Sequence, residues 1–205
     1  MDESVFDRAR GFLETLFEGD SSGHDIWHTM RVHNLAVAIC REEGGDMDIV
    51  RLAALLHDAD DRKLFGDNGY VNARRFMDSE GIQADVQEKV LSQISFKGTD
   101  SVVPDTLEGR IVQDADRMDA IGAIGIARAF AYGGSRGRAM HIPGDEPKAG
   151  MDAEAYSSNT GTSVNHFYEK LLLLKDMMNT PSARRMASRR WRSAFICFSM
   201  ASWIS

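Results

Sequence analysis

The sequence predicts an all-α protein. Period-two alternation of apolar and polar residues is scarce. Ala, Leu, Met and Arg are frequent, and only four prolines occur in 205 residues. Apolar residues recur at spacings of three and four along much of the chain, the signature of one buried helical face.

The elements follow in order. A first helix is expected over about Glu3 to Phe17, where Val5, Phe6, Ala9, Phe12, Leu13, Leu16 and Phe17 share a stripe. The stretch "EGDSSGHD" is a turn rich in capping residues, with His24 and Asp25 placed to start the next helix. That second helix runs over about Ile26 to Glu43 and is closed by Gly44 and Gly45. "DMDIVRLAALLHDADD" is a third helix, starting near Asp46 or Asp48. "FGDNG" is a loop, and "YVNARRFMDSEG" and "IQADVQEKVLSQIS" are two helices parted at Gly81. After the loop "KGTDSVVPDT", the apolar stretch "LEGRIVQDADRMDAIGAIGIARAFAYG" is one long helix or two in succession. "GGSRGRAMHIPGDEPKAGMDAE" is glycine-rich, and an irregular stretch of that length is usually functional or disordered. "SVNHFYEKLLLLKDMM" reads as a strong helix, and "SARRMASRRWRSAFICFSM" as the last.

Bulk properties exclude several classes. The length suits one domain spanning 1–205, with a core over about 20–125 and a helical part over about 150–200. Lys and Arg number 24 against 31 Asp and Glu, a net charge of −7, so the general surface is a poor match for long nucleic acid. A small anion is still accommodated where basic residues gather. The two cysteines, Cys40 and Cys197, form no CxxC pair and imply neither a disulfide framework nor a thiolate zinc site. The amino-terminal segment is acidic and amphipathic rather than a leader, and no uncharged run reaches the length of a membrane span. A reducing cytoplasm is the expected compartment.

Three islands carry chemistry. "HDIWHTMRV" holds His24, Asp25, His28 and Arg31; "HDADDRK" holds His57, Asp58, Asp60, Asp61 and Lys63; "QDADRMDA" holds Asp114, Asp116, Arg117 and Asp119. Each lies in or at the end of an apolar helix, so a bundle can aim them at one point. Burying such groups is costly unless they are paired or hold a metal. Neighbours on a helix are about 100° apart, so His57 and Asp58 can share one ion at the helix surface. His28 and a further carboxylate must then come from other helices. Such a mixed nitrogen and oxygen set with open positions suits one divalent ion of Mn, Mg, Fe, Co or Ni better than structural zinc.

The order His28 … His57-Asp58 … Asp116 resembles the HD-domain metal-dependent phosphohydrolase superfamily. The phrases "HDIWHTMRVHNLA", "LAALLHDADDRK", "ISFKG", "QDADRMDAIGAIGIARAFAYGG" and "NHFYEKLLLLKDMMNT" are similar to its small stand-alone bacterial branch, over roughly residues 20 to 190. The resemblance implies an HD-domain helical bundle with additional C-terminal helices. It implies metal ligands at His28, His57, Asp58 and Asp116, with Asp114 and Asp119 as competitors for the fourth place. It also implies hydrolysis of a phosphate ester, in this branch a nucleoside triphosphate going to the monophosphate and pyrophosphate. Nucleotidase or other phosphoesterase action on the same site is the alternative. A non-catalytic metal- or ligand-binding domain is the reading from another class. Di-metal oxidase chemistry would call for more ligands, and no histidine lies between Asp61 and Asp114.

Within that frame Asp61, with Asp60 as competitor, is the candidate proton acceptor and Lys63 the nearest candidate cation. Lys97, Arg136, Arg138, His166 and Lys170 are the candidate phosphate contacts. Arg31 and Asp119 are candidates to orient the ligands. The expected partner is a small phosphate ester, a nucleotide in the first instance, with no membrane and a monomeric or homodimeric state. His33 is expected to be structural or exposed, and Cys40 buried and inert. The tail "WRSAFICFSMASWIS" departs from the family pattern of an acidic amphipathic end, and an exposed patch there would invite association.

Overall fold

The structure, a computed structural model, describes residues 1–19, 25–67, 69–95, 102–148, 150–151 and 159–199, without the side chains of Lys63 and of 192–199. The described residues are helical or irregular and contain no strand. They divide into two compact units.

The first unit comprises Met1–Arg117 with Asn179–Ala183. It contains α1 (Ser4–Leu16), α2 (Ile26–Glu43), α3 (Met47–Leu56), the single turn α4 (Arg62–Phe65), α5 (Val71–Ser79), α6 (Ala84–Ile94) and most of α7 (Leu107–Asp119). At its centre is α3, packed by α1, α2 and α6. Enclosure from several sides is why Ile49, Val50, Leu52, Ala53, Ala54, Leu55 and Leu56 are all buried, leaving α3 almost no polar face. Each fully buried Leu or Val contributes about 1.5–3 kcal/mol relative to an exposed one.

The starts and stops of these helices follow local chemistry. Asp25 caps α2 by accepting from the His28 N–H at 2.7 Å. Asp46 caps α3 by accepting from Asp48 and Ile49 at 3.1 and 3.2 Å. Between them Gly44, at φ 86°, ends α2 with its N–H on the Cys40 carbonyl at 2.9 Å. Cys40 is buried, burial pushes its thiol pKa up, and the thiol donates to the Gly44 carbonyl at 3.1 Å. Its burial matches the expectation from sequence. The turn α4 lies in a stretch for which the sequence indicated no helix of its own.

The second unit comprises Met118–Met178 with Arg184–Ser205. The apolar stretch beginning at Leu107 is two helices: α7 ends at Asp119, Gly122 breaks the winding at φ 81°, and α8 (Ala123–Ser135) follows. The segment predicted as one strong helix over 163–178 is instead an α turn, α9 (Ser163–His166), a π turn (Phe167–Leu171) and a 3₁₀ turn (Leu174–Met177). The wide turn carries Glu169, which accepts from Asn159 Nδ2 at 2.7 Å and from the Lys148 N–H at 3.1 Å. Tertiary bonds thus act where helix propensity alone would continue regular winding. Phe167, Leu171 and Leu174 still share one face, packed with Ala120, Ile126, Ala129 and Phe130. Through Asp145, which accepts from Asn165 Nδ2 at 2.9 Å, and through Lys148, the glycine-rich stretch is tied into this unit.

The final helix, α10 (Pro181–Ser199), starts at the Thr-Pro pair. The apolar tail beyond it, and its expected role in association, lie outside the described residues.

At Gly125 an added Cβ would overlap the Ala120 carbonyl. Gly125→Ala is therefore expected to destabilise the protein by about 1–3 kcal/mol, read as a lower urea midpoint at unchanged m-value. An unchanged midpoint would show that α8 can shift away freely.

Candidate metal centre

His28 lies in the first turn of α2, where the Asp25 cap holds its backbone, and its side chain is 3% exposed. His57 is the residue after α3, still in helical conformation at φ −59° and ψ −32°. Its Nδ1 stands 2.8 Å from the Ala54 carbonyl. A carbonyl only accepts, so Nδ1 is the donor there, and Nε2 faces the site. The chain then makes a tight turn, with the Ala59 N–H on the Leu56 carbonyl and the Asp61 N–H on the Asp58 carbonyl, both at 3.1 Å. That turn sets Asp58 beside His57.

The resulting geometry is close to an equilateral triangle. His28 Nε2, His57 Nε2 and Asp58 Oδ2 are each 3.3 Å from the other two. Asp116 on α7 brings Oδ1 to 3.5 Å from His28 Nε2. All of this lies within the first unit. Ligand atoms about 2.0–2.3 Å from one ion stand roughly 2.8–3.7 Å apart at neighbouring vertices, so the spacing fits one cation. The donor set fits as well: two imidazole nitrogens and a carboxylate, all buried, each offering one ligand atom.

The aspartates of the second and third islands separate by environment. Asp60 is 8% exposed and accepts from the N–H groups of Asn72 and Ala73, both at 2.9 Å, at the amino end of α5. Asp114 is fully buried and accepts from Asn179 N, Thr180 N and Thr180 Oγ1, each at 2.8 Å. Burial raises the Asp114 pKa, and the bonds from Asn179 and Thr180 oppose the rise. Asp119 pairs with Arg128 at 2.7 Å within the second unit. Asp61 is 8% exposed. Asp60 and Asp114 thus bind backbone N–H groups. The anchoring partners Asn72 and Thr180 were not singled out from sequence. A signal existed for Thr180, since Thr-Pro is a typical helix start; none existed for Asn72.

Of the candidate cations, Arg31 is half-buried one turn beyond His28, and Lys63 lies on α4. Lys97 and His24 lie outside the described residues. In the second unit Arg138 donates to the Asn159 carbonyl at 2.8 Å and sits 5.8 Å over the Tyr132 ring. Arg136 is exposed, its guanidinium 5.3 Å over the same ring. Burial pushes the His166 pKa down to about 4, and the charges of Lys170 and Arg138 add to the shift, so these three groups are neighbours. His33 is half-buried with its pKa lowered by burial, which fits the structural role expected of it.

A helical scaffold that gathers a histidine from one helix and a His-Asp pair from the end of the next defines the HD class of protein. Residues 26–121 match the family model "HD domain". The Bacillus subtilis protein YpgQ is 38% identical over 192 residues, covering 90% of this chain and 85% of that protein. An HD-superfamily hydrolase from Bacillus thuringiensis shares 36% identity at a TM-score of 0.76, with 99% and 98% of the two chains covered. The structure of B. subtilis YpgQ in complex with ADP matches with 34% identity, a TM-score of 0.73 and 96% and 95% coverage. The chain belongs to the HD-domain superfamily and shares the fold of an HD-superfamily hydrolase. Among the described residues no helix is long and apolar enough to cross a membrane.

The His166 shift has a thermodynamic consequence. Its folded pKa lies below the ordinary value near 6.5, so between about pH 6.5 and 4 the unfolded chain binds more protons and stability falls as pH falls. His166→Asn is expected to lose part of that slope, measured as urea midpoints at about pH 7 and about pH 4.5. Identical slopes in both proteins would exclude His166 as a source of acid sensitivity.

Proposed function

We propose that the chain is a divalent-metal-dependent phosphohydrolase acting on nucleotides in the cytoplasm, taking a nucleoside triphosphate to the monophosphate and pyrophosphate. The observation that carries the reading is the buried triangle of His28 Nε2, His57 Nε2 and Asp58 Oδ2 at 3.3 Å, with Asp116 Oδ1 3.5 Å from His28. These four residues are the proposed ligands of one ion of Mn, Mg, Fe, Co or Ni. The ADP complex of the B. subtilis relative supports a nucleotide as the substrate class.

A divalent cation held by His28, His57, Asp58 and Asp116 would supply Lewis acidity to a water and to phosphoryl oxygens. The chain supplies the rest. The Ala54 carbonyl keeps the His57 proton on Nδ1, so Nε2 stays available toward the site. Asp61 takes the proton of the attacking water, since Asp60 is committed to the amino end of α5. Lys63, Lys97, Arg136, Arg138 and Lys170 are the groups proposed to meet phosphate charge. With its pKa near 4, His166 is neutral at pH 7, so its contribution is a hydrogen bond rather than a charge. Arg31 is proposed to orient a site carboxylate.

The test is incubation of metal-stripped protein with Mn²⁺ and a panel of nucleoside and deoxynucleoside mono-, di- and triphosphates, read by phosphorus NMR. Pyrophosphate is expected from triphosphates, with turnover and Mn²⁺ binding both lost in His57→Ala. Orthophosphate from monophosphates would make the protein a nucleotidase instead. An unchanged rate in His57→Ala would remove this site from the chemistry.

A further inference from the structure

The sequence contains the triplet Asp-Ala-Asp twice, at Asp58-Ala59-Asp60 and at Asp114-Ala115-Asp116. In the first triplet the leading aspartate faces the imidazoles and the trailing one binds the Asn72 and Ala73 N–H groups. In the second the order is reversed: the trailing aspartate faces His28 and the leading one binds Asn179 and Thr180. Two residues along a helical turn rotate a side chain by about 200°, so each triplet sends its carboxylates to opposite sides. The alanine between them is fully buried in both cases, which leaves the turn no freedom to roll outward.

We propose that Asp60 and Asp114 are positioning residues, each fastening a turn that bears a site carboxylate to the amino end of a helix remote in sequence. Asp60 grips the first turn of α5, and Asn72 Nδ2 adds a bond to the Ala59 carbonyl at 2.9 Å, in the middle of the triplet. Asp114 grips Asn179 and Thr180, immediately before α10, and Asn179 Nδ2 also donates to Gln113 Oε1 at 2.8 Å. The same segment is held from α2, where Glu43 accepts from the Ser182 N–H at 2.5 Å. Tyr70, just ahead of α5, sits in the left-handed region at φ 64°, a conformation maintained only where neighbouring bonds enforce it. The distances from Asp58 and Asp116 to the imidazoles are therefore set by two helix starts that contribute no ligand themselves. The inference rests on the metal-holding reading given above.

Thr180 offers the discriminating variant, because Thr180→Val removes one donor and leaves two backbone N–H bonds on Asp114. Mn²⁺ affinity is measured by titration followed by electron paramagnetic resonance, alongside circular dichroism of the metal-free protein. Thr180→Val is expected to bind Mn²⁺ about ten-fold more weakly and Thr180→Ser to restore the wild-type value, with the helical signal retained in both. Asp60→Asn, which leaves one acceptor oxygen at the α5 start, is expected to weaken binding to a similar degree. Equal affinity in wild type and Thr180→Val overturns the positioning role while leaving the metal reading intact. Loss of helical signal with no change in the affinity of the folded fraction also overturns it, making these carboxylates scaffold groups only. Absence of Mn²⁺ binding by the wild type overturns both.

Discussion

An ionised carboxylate in a protein interior costs several kcal/mol unless its charge is met, and Asp58 is 4% exposed. It stands 3.3 Å from two imidazole nitrogens that are as deeply buried. Much of the first unit is arranged around that unfavourable concentration of polar groups. Asp58 lies two residues past the end of the apolar helix α3, whose nearly complete burial offsets the local cost. The His57 ring cannot turn away, since its Nδ1 is committed to Ala54. A site of this kind stays organised because the surrounding packing over-determines it, and a bound cation would relieve the electrostatic tension that remains.

The burden falls unequally on the acidic residues. Asp25, Asp46, Asp60 and Asp114 all accept from backbone N–H groups at or just before helix starts, where the dipole favours negative charge. A chemist counting carboxylates near the His-Asp pair would find several equivalent candidates for catalysis. Their bonds distinguish them: Asp60 and Asp114 have both oxygens on backbone amides, whereas Asp58 and Asp116 face imidazole.

This is where sequence reading stops. Helices α1, α2, α3, α5 and α6 were legible to within a few residues, because each has an apolar stripe and most have a marked boundary, such as Asp25, Asp46 or Gly44. The gathering of His28, His57 and Asp58 was legible through the family resemblance that the islands carry. The broken winding after Ser163 was not, since it accompanies bonds from Asn159 and Lys148 to Glu169 that no local pattern announces. Nor were the helix starts that Asp60 and Asp114 hold. Both triplets read Asp-Ala-Asp, and that their partners are Asn72, Ala73, Asn179 and Thr180 follows from no local pattern.

Net charge is for the same reason a blunt guide to ligand. The value of −7 includes carboxylates that serve helix starts rather than the surface field. A chain of this balance that binds phosphate must gather its cations locally, against the average. The second unit has such a gathering, with Arg138 and Lys170 beside His166. Burial is the larger reason that His166 stays neutral, and the neighbouring cations reinforce it. The imidazole therefore leaves the positive potential of Arg138 and Lys170 unreinforced at neutral pH, while its ring nitrogens remain the kind of group that can read the position of a neighbour without adding charge.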